Sequence, residues 1–122
     1  MKIQRLSQAS LQTILDGETT EEATCVIKFY SNGCHYCHKL KDLYEKISDT
    51  FPDVYFFAFN ITDNPSVQKR LKFKGVPTIL VVNVHEGPSK PDIKLLPEPT
   101  APSKITWYTA ENIKTFITKE KQ

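Results

Sequence analysis

Three observations predict an α/β fold with a central mixed sheet of four to five strands and helices on both faces. Three runs rich in apolar, β-forming residues (25–30, 54–61 and 76–82) are evenly distributed through the chain. Segments of helical periodicity alternate with them, which implies parallel crossovers and an antiparallel hairpin at the end. No internal repeat or linker divides residues 1–122, so a single domain is expected.

The composition, 39% hydrophobic and 25% charged, is that of an ordinary soluble protein with one core. A formal charge of +2, with Lys and Arg scattered among acids, gives no footprint for nucleic acid or a membrane surface, and a monomer is expected. The longest apolar stretch, 76–84, is too short to span a bilayer. Residues 1–8 carry neither an apolar h-region nor a small-residue cleavage pattern, so the expected compartment is the reducing cytosol.

In chain order, residues 2–6 form a short edge strand, and Leu11, Ile14 and Leu15 share one face of a helix over 10–15 that Gly17 ends. A polar, acidic loop over 17–24 precedes the strand at 25–30, which is apolar throughout except for Lys28. From 34 to 48, Cys37, Leu40, Leu43, Tyr44 and Ile47 recur at helical spacing opposite a charged face. Phe51-Pro52-Asp53 breaks that helix ahead of the strand at 54–61. Asn64 then serves as N-cap and Pro65 as the first helical residue of a helix to Leu71, closed by Gly75.

Pro77 stands at the start of the strand at 76–82, where a residue without an N–H is tolerated. Five prolines between residues 85 and 103 read as a mobile surface loop holding a short strand at 92–96. A last strand at 105–108 and a C-terminal helix follow, the helix capped by Thr109 and burying Ile113, Phe116 and Ile117. Its basic end, Lys119-Glu120-Lys121, is expected to be solvated.

The chemistry concentrates at Ser31-Asn32-Gly33-Cys34-His35-Tyr36-Cys37-His38, between a strand and a helix. Two thiols three residues apart at a helix start are neighbours that can exchange a disulfide, and unpaired helix N–H groups favour the thiolate of the first. Three cysteines, an odd number, suit one close pair plus a buried core thiol, Cys25. The pattern Cys-x-x-Cys-His is shared with c-type haem attachment, but Met1 is the only methionine, and a zinc site lacks a second Cys or His pair. Both rank behind a redox site, and no metal is expected.

Three segments, Phe29-Tyr30-Ser31-Asn32-Gly33-Cys34-His35-Tyr36-Cys37, Phe59-Asn60-Ile61-Thr62-Asp63-Asn64-Pro65 and Gly75-Val76-Pro77-Thr78, match in order and spacing a thioredoxin-superfamily domain, which the chain resembles from about residue 24 to 82. The resemblance implies a thioredoxin-like fold, Cys34 as nucleophile, Cys37 as resolving thiol, and Pro77 as a cis-proline beside them. It also implies that the Val76 backbone pairs with an extended substrate segment, with Gly33 bordering the same surface.

Departures from the family pattern mark the site. His35-Tyr36 stands between the cysteines in place of thioredoxin's Gly-Pro, and a cationic His35 would stabilise a thiolate. Gly33 replaces the usual tryptophan, Asp42 the helix-kinking proline, and the final hairpin lacks the family's glycine. Lys28 replaces a buried acid and is expected to run outward, its stem laid on apolar surface. With Tyr36, these residues tune the site.

The expected function is thiol–disulfide oxidoreduction on protein disulfides. No bound cofactor is expected; electrons come from thioredoxin reductase with NADPH or from glutathione. The alternatives are a binding module with secondary redox chemistry and a glutathione-linked, glutaredoxin-type enzyme, for which no site for the tripeptide's charged ends is evident.

Overall fold

The computed structural model describes residues 3–18, 21–87 and 90–121. The elements run β1 (Gln4–Arg5), α1 (Gln8–Leu15), β2 (Ala23–Tyr30), α2 (His35–Asp49), β3 (Tyr55–Asn60), α3 (Ser66–Leu71), β4 (Thr78–Val84), β5 (Asp92–Leu95) and α4 (Ala110–Glu120). The five strands form one sheet in the order β1-β3-β2-β4-β5. The β1–β3 and β3–β2 pairs are parallel and the β2–β4 and β4–β5 pairs antiparallel, so the sheet is mixed. Lys2 of the expected edge strand, Thr19 and Thr20 of the acidic loop, and Pro88 of the proline-rich stretch lie outside the described residues.

Alternation along β2 divides the core. Cys25, Ile27 and Phe29 face Leu11, Ile14 and Leu15 of α1 and Val67 of α3. Val26 faces Leu40, Tyr44 and Ile47 of α2 and Ile113 and Ile117 of α4. Both faces are therefore covered, which is why the interior strands read as nearly continuous apolar runs. The Tyr44 hydroxyl donates to the carbonyls of Val26 (3.2 Å) and Phe57 (2.7 Å), fastening α2 to the sheet.

Several local expectations are corrected. Pro65, not Asn64, takes the N-cap position of α3, no side chain caps it, and the Asn64 N–H donates to the Ile61 carbonyl in the turn before it. The helix closes on Lys72, in the left-handed region at φ 60°, three residues before Gly75. Phe116 is half-buried.

The expected strand at 105–108 is instead a turn closed by paired backbone bonds between Ser103 and Trp107. The Ser103 hydroxyl accepts from the N–H groups of Ile105 and Thr106, a local alternative to ladder bonding. Trp107 consequently sits at φ 66°. The stretch before it is pinned, since the Leu96 N–H donates to Ile79 and the Tyr108 hydroxyl to the Leu96 carbonyl. Lys121 at the chain's basic end reaches Asp53, Nζ to Oδ2 3.3 Å, with its ammonium 5.7 Å from the Phe51 ring. Among the described residues, no helix is long and apolar enough to cross a membrane.

Candidate functional site

Two interior strands end side by side at the site. Phe29 of β2 pairs with Thr78 of β4, so the loop leaving β2 and the Val76–Pro77 bond entering β4 lie at one end of the sheet. That bond is cis. The loop leaving β2 is held by the exit of β3. The Asn32 N–H donates to Thr62 Oγ1 (2.9 Å), and Asn60 Nδ2 donates to Asn32 Oδ1 (2.8 Å). Asn60 Oδ1 in turn accepts from the Thr62 N–H (2.9 Å).

Cys34 is the N-cap of α2, with extended backbone, and its sulfur accepts from the Cys37 N–H at 3.1 Å. The two cysteines are joined as a disulfide, with Cα atoms 5.2 Å apart. They are not equivalent: Cys34 is partly exposed, while Cys37 is 2% exposed under the first turn of the helix. An incoming protein segment therefore meets Cys34 before Cys37. The first turn of α2 carries no acid that would oppose a negative sulfur at its N-terminus.

Gly33 is exposed, and a Cβ built on it would meet nothing within 4 Å. The approach to Cys34 is therefore open where the family carries a tryptophan. His35 is exposed and meets the edge of the Tyr36 ring at 6.2 Å. Tyr36 packs on Trp107 with ring centres 5.6 Å apart. Trp107 also lines a cleft of about 360 Å³ with Val76 and Pro77, so the helix start and the cis bond border one continuous surface.

Lys28 corrects the expected outward course. It lies between Ala58 of β3 and Ile79 of β4, on the α2 side of the sheet, and is 5% exposed. Its ammonium sits 5.0 Å from the centre of the Tyr44 ring and 5.7 Å from that of Tyr30. With Cys37 and His38 it lines a cleft of about 390 Å³ between α2 and the β1 edge. Burial, reinforced by the charge of Lys41 and more weakly that of Arg5, lowers its pKa from 10.5 to about 8, while Glu45 pulls the other way.

Donors that might hold a metal are committed elsewhere. The sulfurs of Cys34 and Cys37 are bonded to each other, and His38 Nε2 is 2.9 Å from the Asn32 carbonyl oxygen. Among the described residues, no three His, Cys, Asp or Glu side chains group closely enough to ligate an ion. Cys25 is buried on the opposite face of β2, and burial pushes its thiol up to about 11, that of an inert core residue.

Trp107, Asn60 and Thr62 escaped the sequence reading as site residues. Asn60 and Thr62 lie in the segment that carries the family likeness, and a polar pair at the end of an apolar strand was the available signal. Trp107 carried none, because its place depends on how the chain after β5 folds back.

A sequence model of the thioredoxin family matches residues 3–96. No curated protein sequence matches the chain. Among solved structures, the Trx4 domain of ERdj5 superposes with a TM-score of 0.74 at 13% identity, over 97% of this chain and 94% of that one. Chloroplastic thioredoxin z gives 0.69 at 17%, over 98% and 94%, and spinach chloroplast thioredoxin f gives 0.58 at 20%, over 67% and 72%. At these identities the superpositions speak for the fold, and the match over residues 3–96 for the lineage: the chain belongs to the thioredoxin family, and Cys34 and Cys37 form its Cys-x-x-Cys pair.

Proposed function

We propose that the protein is a thiol–disulfide oxidoreductase that reduces or exchanges disulfides in protein substrates. The observation that carries this reading is the unequal exposure of the two disulfide-bonded cysteines at the N-terminus of α2. In the dithiol form, the Cys34 thiolate attacks one sulfur of a substrate disulfide. A mixed disulfide forms, and the displaced substrate thiolate takes up a proton. Cys37, as thiolate, then attacks Cys34 Sγ and releases the second substrate thiol. Two electrons have passed to the substrate, and the protein is left with the Cys34–Cys37 disulfide.

Backbone N–H groups at the start of α2, including that of Cys37, favour the Cys34 thiolate. The Lys28 ammonium, on the wall of the cleft that Cys37 also lines, favours the Cys37 thiolate electrostatically, where the family's acid would accept its proton. The substrate segment lies along the Val76 backbone, beside Pro77 and the Tyr36–Trp107 pair, with Gly33 leaving room for it. His35, between the two cysteines, adds to thiolate stability when it carries a proton and so raises the potential above that of a thioredoxin. The protein acts as a monomer in the reducing cytosol. It needs no bound cofactor and is recharged by thioredoxin reductase with NADPH or by glutathione.

Insulin-disulfide reduction tests this, run once with each of those electron sources. Turnover with one of them, abolished in Cys34→Ser, is the expected result, and the source that works distinguishes the thioredoxin-like from the glutathione-linked enzyme. In Cys37→Ser the mixed disulfide accumulates and is seen as an added mass on the protein. Absence of turnover with both sources and with a chemical dithiol would sink the proposal in favour of a binding module.

A further inference from the structure

Among the described residues Lys28 is a buried cation with no carboxylate bonded to it; Glu45, on the same cleft, acts on it only through space. The residue is 95% buried, no salt bridge joins it to any described residue, and its ammonium lies over the rings of Tyr44 and Tyr30 where the cleft admits solvent. A buried charge is ordinarily paired, because desolvation disfavours it and a counter-charge offsets the loss. Here the space where a partner would stand is open. The cleft of about 390 Å³ that Lys28 lines is in the range of small-molecule sites.

The rest of the lining completes an anion-binding arrangement. Arg5 and Lys41 stand at the rim with their charges felt by Lys28, against one carboxylate, that of Glu45. His38 is held by the Asn32 carbonyl and does not fill the opening. The lining is mostly apolar, with Ile3, Ala58 and the rings of Tyr30 and Tyr44, beside the amides of Asn32 and Asn60. A strongly hydrated dianion would be stripped of water against that surface, whereas an organic anion can place an apolar body on it and its charge on Lys28.

We propose that this cleft binds a small organic carboxylate, with Lys28 as its buried counter-ion and Arg5 and Lys41 guiding it in from the rim. The site rests on Lys28 and the space in front of it, not on the dithiol chemistry. The protein in its disulfide form therefore serves for the test, and failure of the redox reading leaves this one standing.

Benzoate and acetate are titrated into the oxidised protein at pH 7 by calorimetry and by NMR of the lysine side chains, with phosphate and chloride in parallel. Saturable binding of benzoate is expected, tighter than phosphate or chloride, with the Lys28 signals among those that move. Bound carboxylate favours the ammonium, so the Lys28 titration midpoint rises above its unliganded value of about 8, and affinity weakens as pH passes that value. In Lys28→Met the affinity falls by about tenfold or more, as loss of a charged hydrogen-bond donor predicts, while Lys104→Met, an exposed control, binds as the parent does.

No saturable binding of either carboxylate, or undiminished binding in Lys28→Met, would overturn the proposal. Phosphate binding as tightly as benzoate would overturn the carboxylate assignment. The Lys28 midpoint in the parent protein needs no variant, and a midpoint that benzoate leaves in place counts equally against the site.

Discussion

Cys25 and Lys28 stand three residues apart on β2 and face opposite sides of the sheet. Both are buried, and in both the same loss of hydration favours the uncharged form: the thiol of Cys25 is pushed up to about 11 and the ammonium of Lys28 down to about 8. Their surroundings differ. Cys25 lies among the apolar side chains shared by α1, α3 and the sheet. Lys28 has two aromatic faces and an open cleft that also contains Cys37. One face of the sheet is thus a dry core that makes its ionisable group inert, and the other keeps a charge on the cleft that Cys37 also lines.

The largest expected effect comes from removing that charge. A Lys28 pKa of about 8 against 10.5 for a free lysine corresponds to roughly 3 kcal/mol of preference for the neutral amine in the fold. Replacement by Met at pH 7, less the lost contact with Tyr44 and Tyr30, should stabilise the oxidised protein by ~2 kcal/mol in denaturant unfolding. The pH dependence follows from the sign of the shift. Between pH 8 and 10.5 the unfolded chain holds a proton on Lys28 that the folded chain has released, so unfolding free energy rises with pH. From about pH 8 upward Cys25 opposes it, because the unfolded thiol ionises near 9.0 and the folded one near 11. The parent should therefore gain roughly 0.6 kcal/mol between pH 8 and 9, and Lys28→Met should lose a few tenths over the same interval. If the parent profile is flat across that interval, the ammonium is not buried as described.

The same variant separates a structural from a chemical role. Since Lys28 and Cys37 share one cleft, Lys28→Met should slow resolution of the mixed disulfide and raise the thiol pKa values of the reduced pair. The rate of iodoacetamide alkylation as a function of pH reads the Cys34 value. An unchanged profile would exclude a direct electrostatic role at that sulfur. On the other face, Cys25→Ala should cost about 1 kcal/mol for the lost sulfur and leave disulfide reduction unchanged. Altered kinetics would mean that the two faces are coupled.

The contrast between the faces was partly legible in the chain itself. Leu40, Tyr44 and Ile47 announce α2 by spacing, Leu11, Ile14 and Leu15 announce α1, and the Cys34–Cys37 pair with Pro77 some forty residues on announces the site. The outward course expected for Lys28 rests on a lone lysine usually being solvated, yet its register points the other way. It alternates with Val26, so it shares the face that α2 covers. Trp107 and the Asn32–Asn60–Thr62 bonds could not be read, since each joins segments that only the folded chain brings together. The expected strand at 105–108 rests on the β-formers Ile105, Thr106, Trp107 and Tyr108, but the Ser103 hydroxyl takes the N–H groups of Ile105 and Thr106 and the segment turns instead.

The smallest expected effect lies outside both faces, at Gly33. With no atom within 4 Å of its missing Cβ and a backbone outside the left-handed region, the position does not demand glycine. Restoring the family's tryptophan by Gly33→Trp should change stability by no more than ~0.5 kcal/mol, as at an unconstrained surface site. It adds a ring beside the exposed sulfur of the pair while leaving Lys28 and Cys37 untouched, so any change belongs to substrate approach alone. The outcome expected in the insulin assay is an altered KM with the pH profile of the reaction preserved. A profile that moves with Gly33→Trp would show that solvent access at Cys34, rather than the buried charge under α2, sets the ionisation of the thiols.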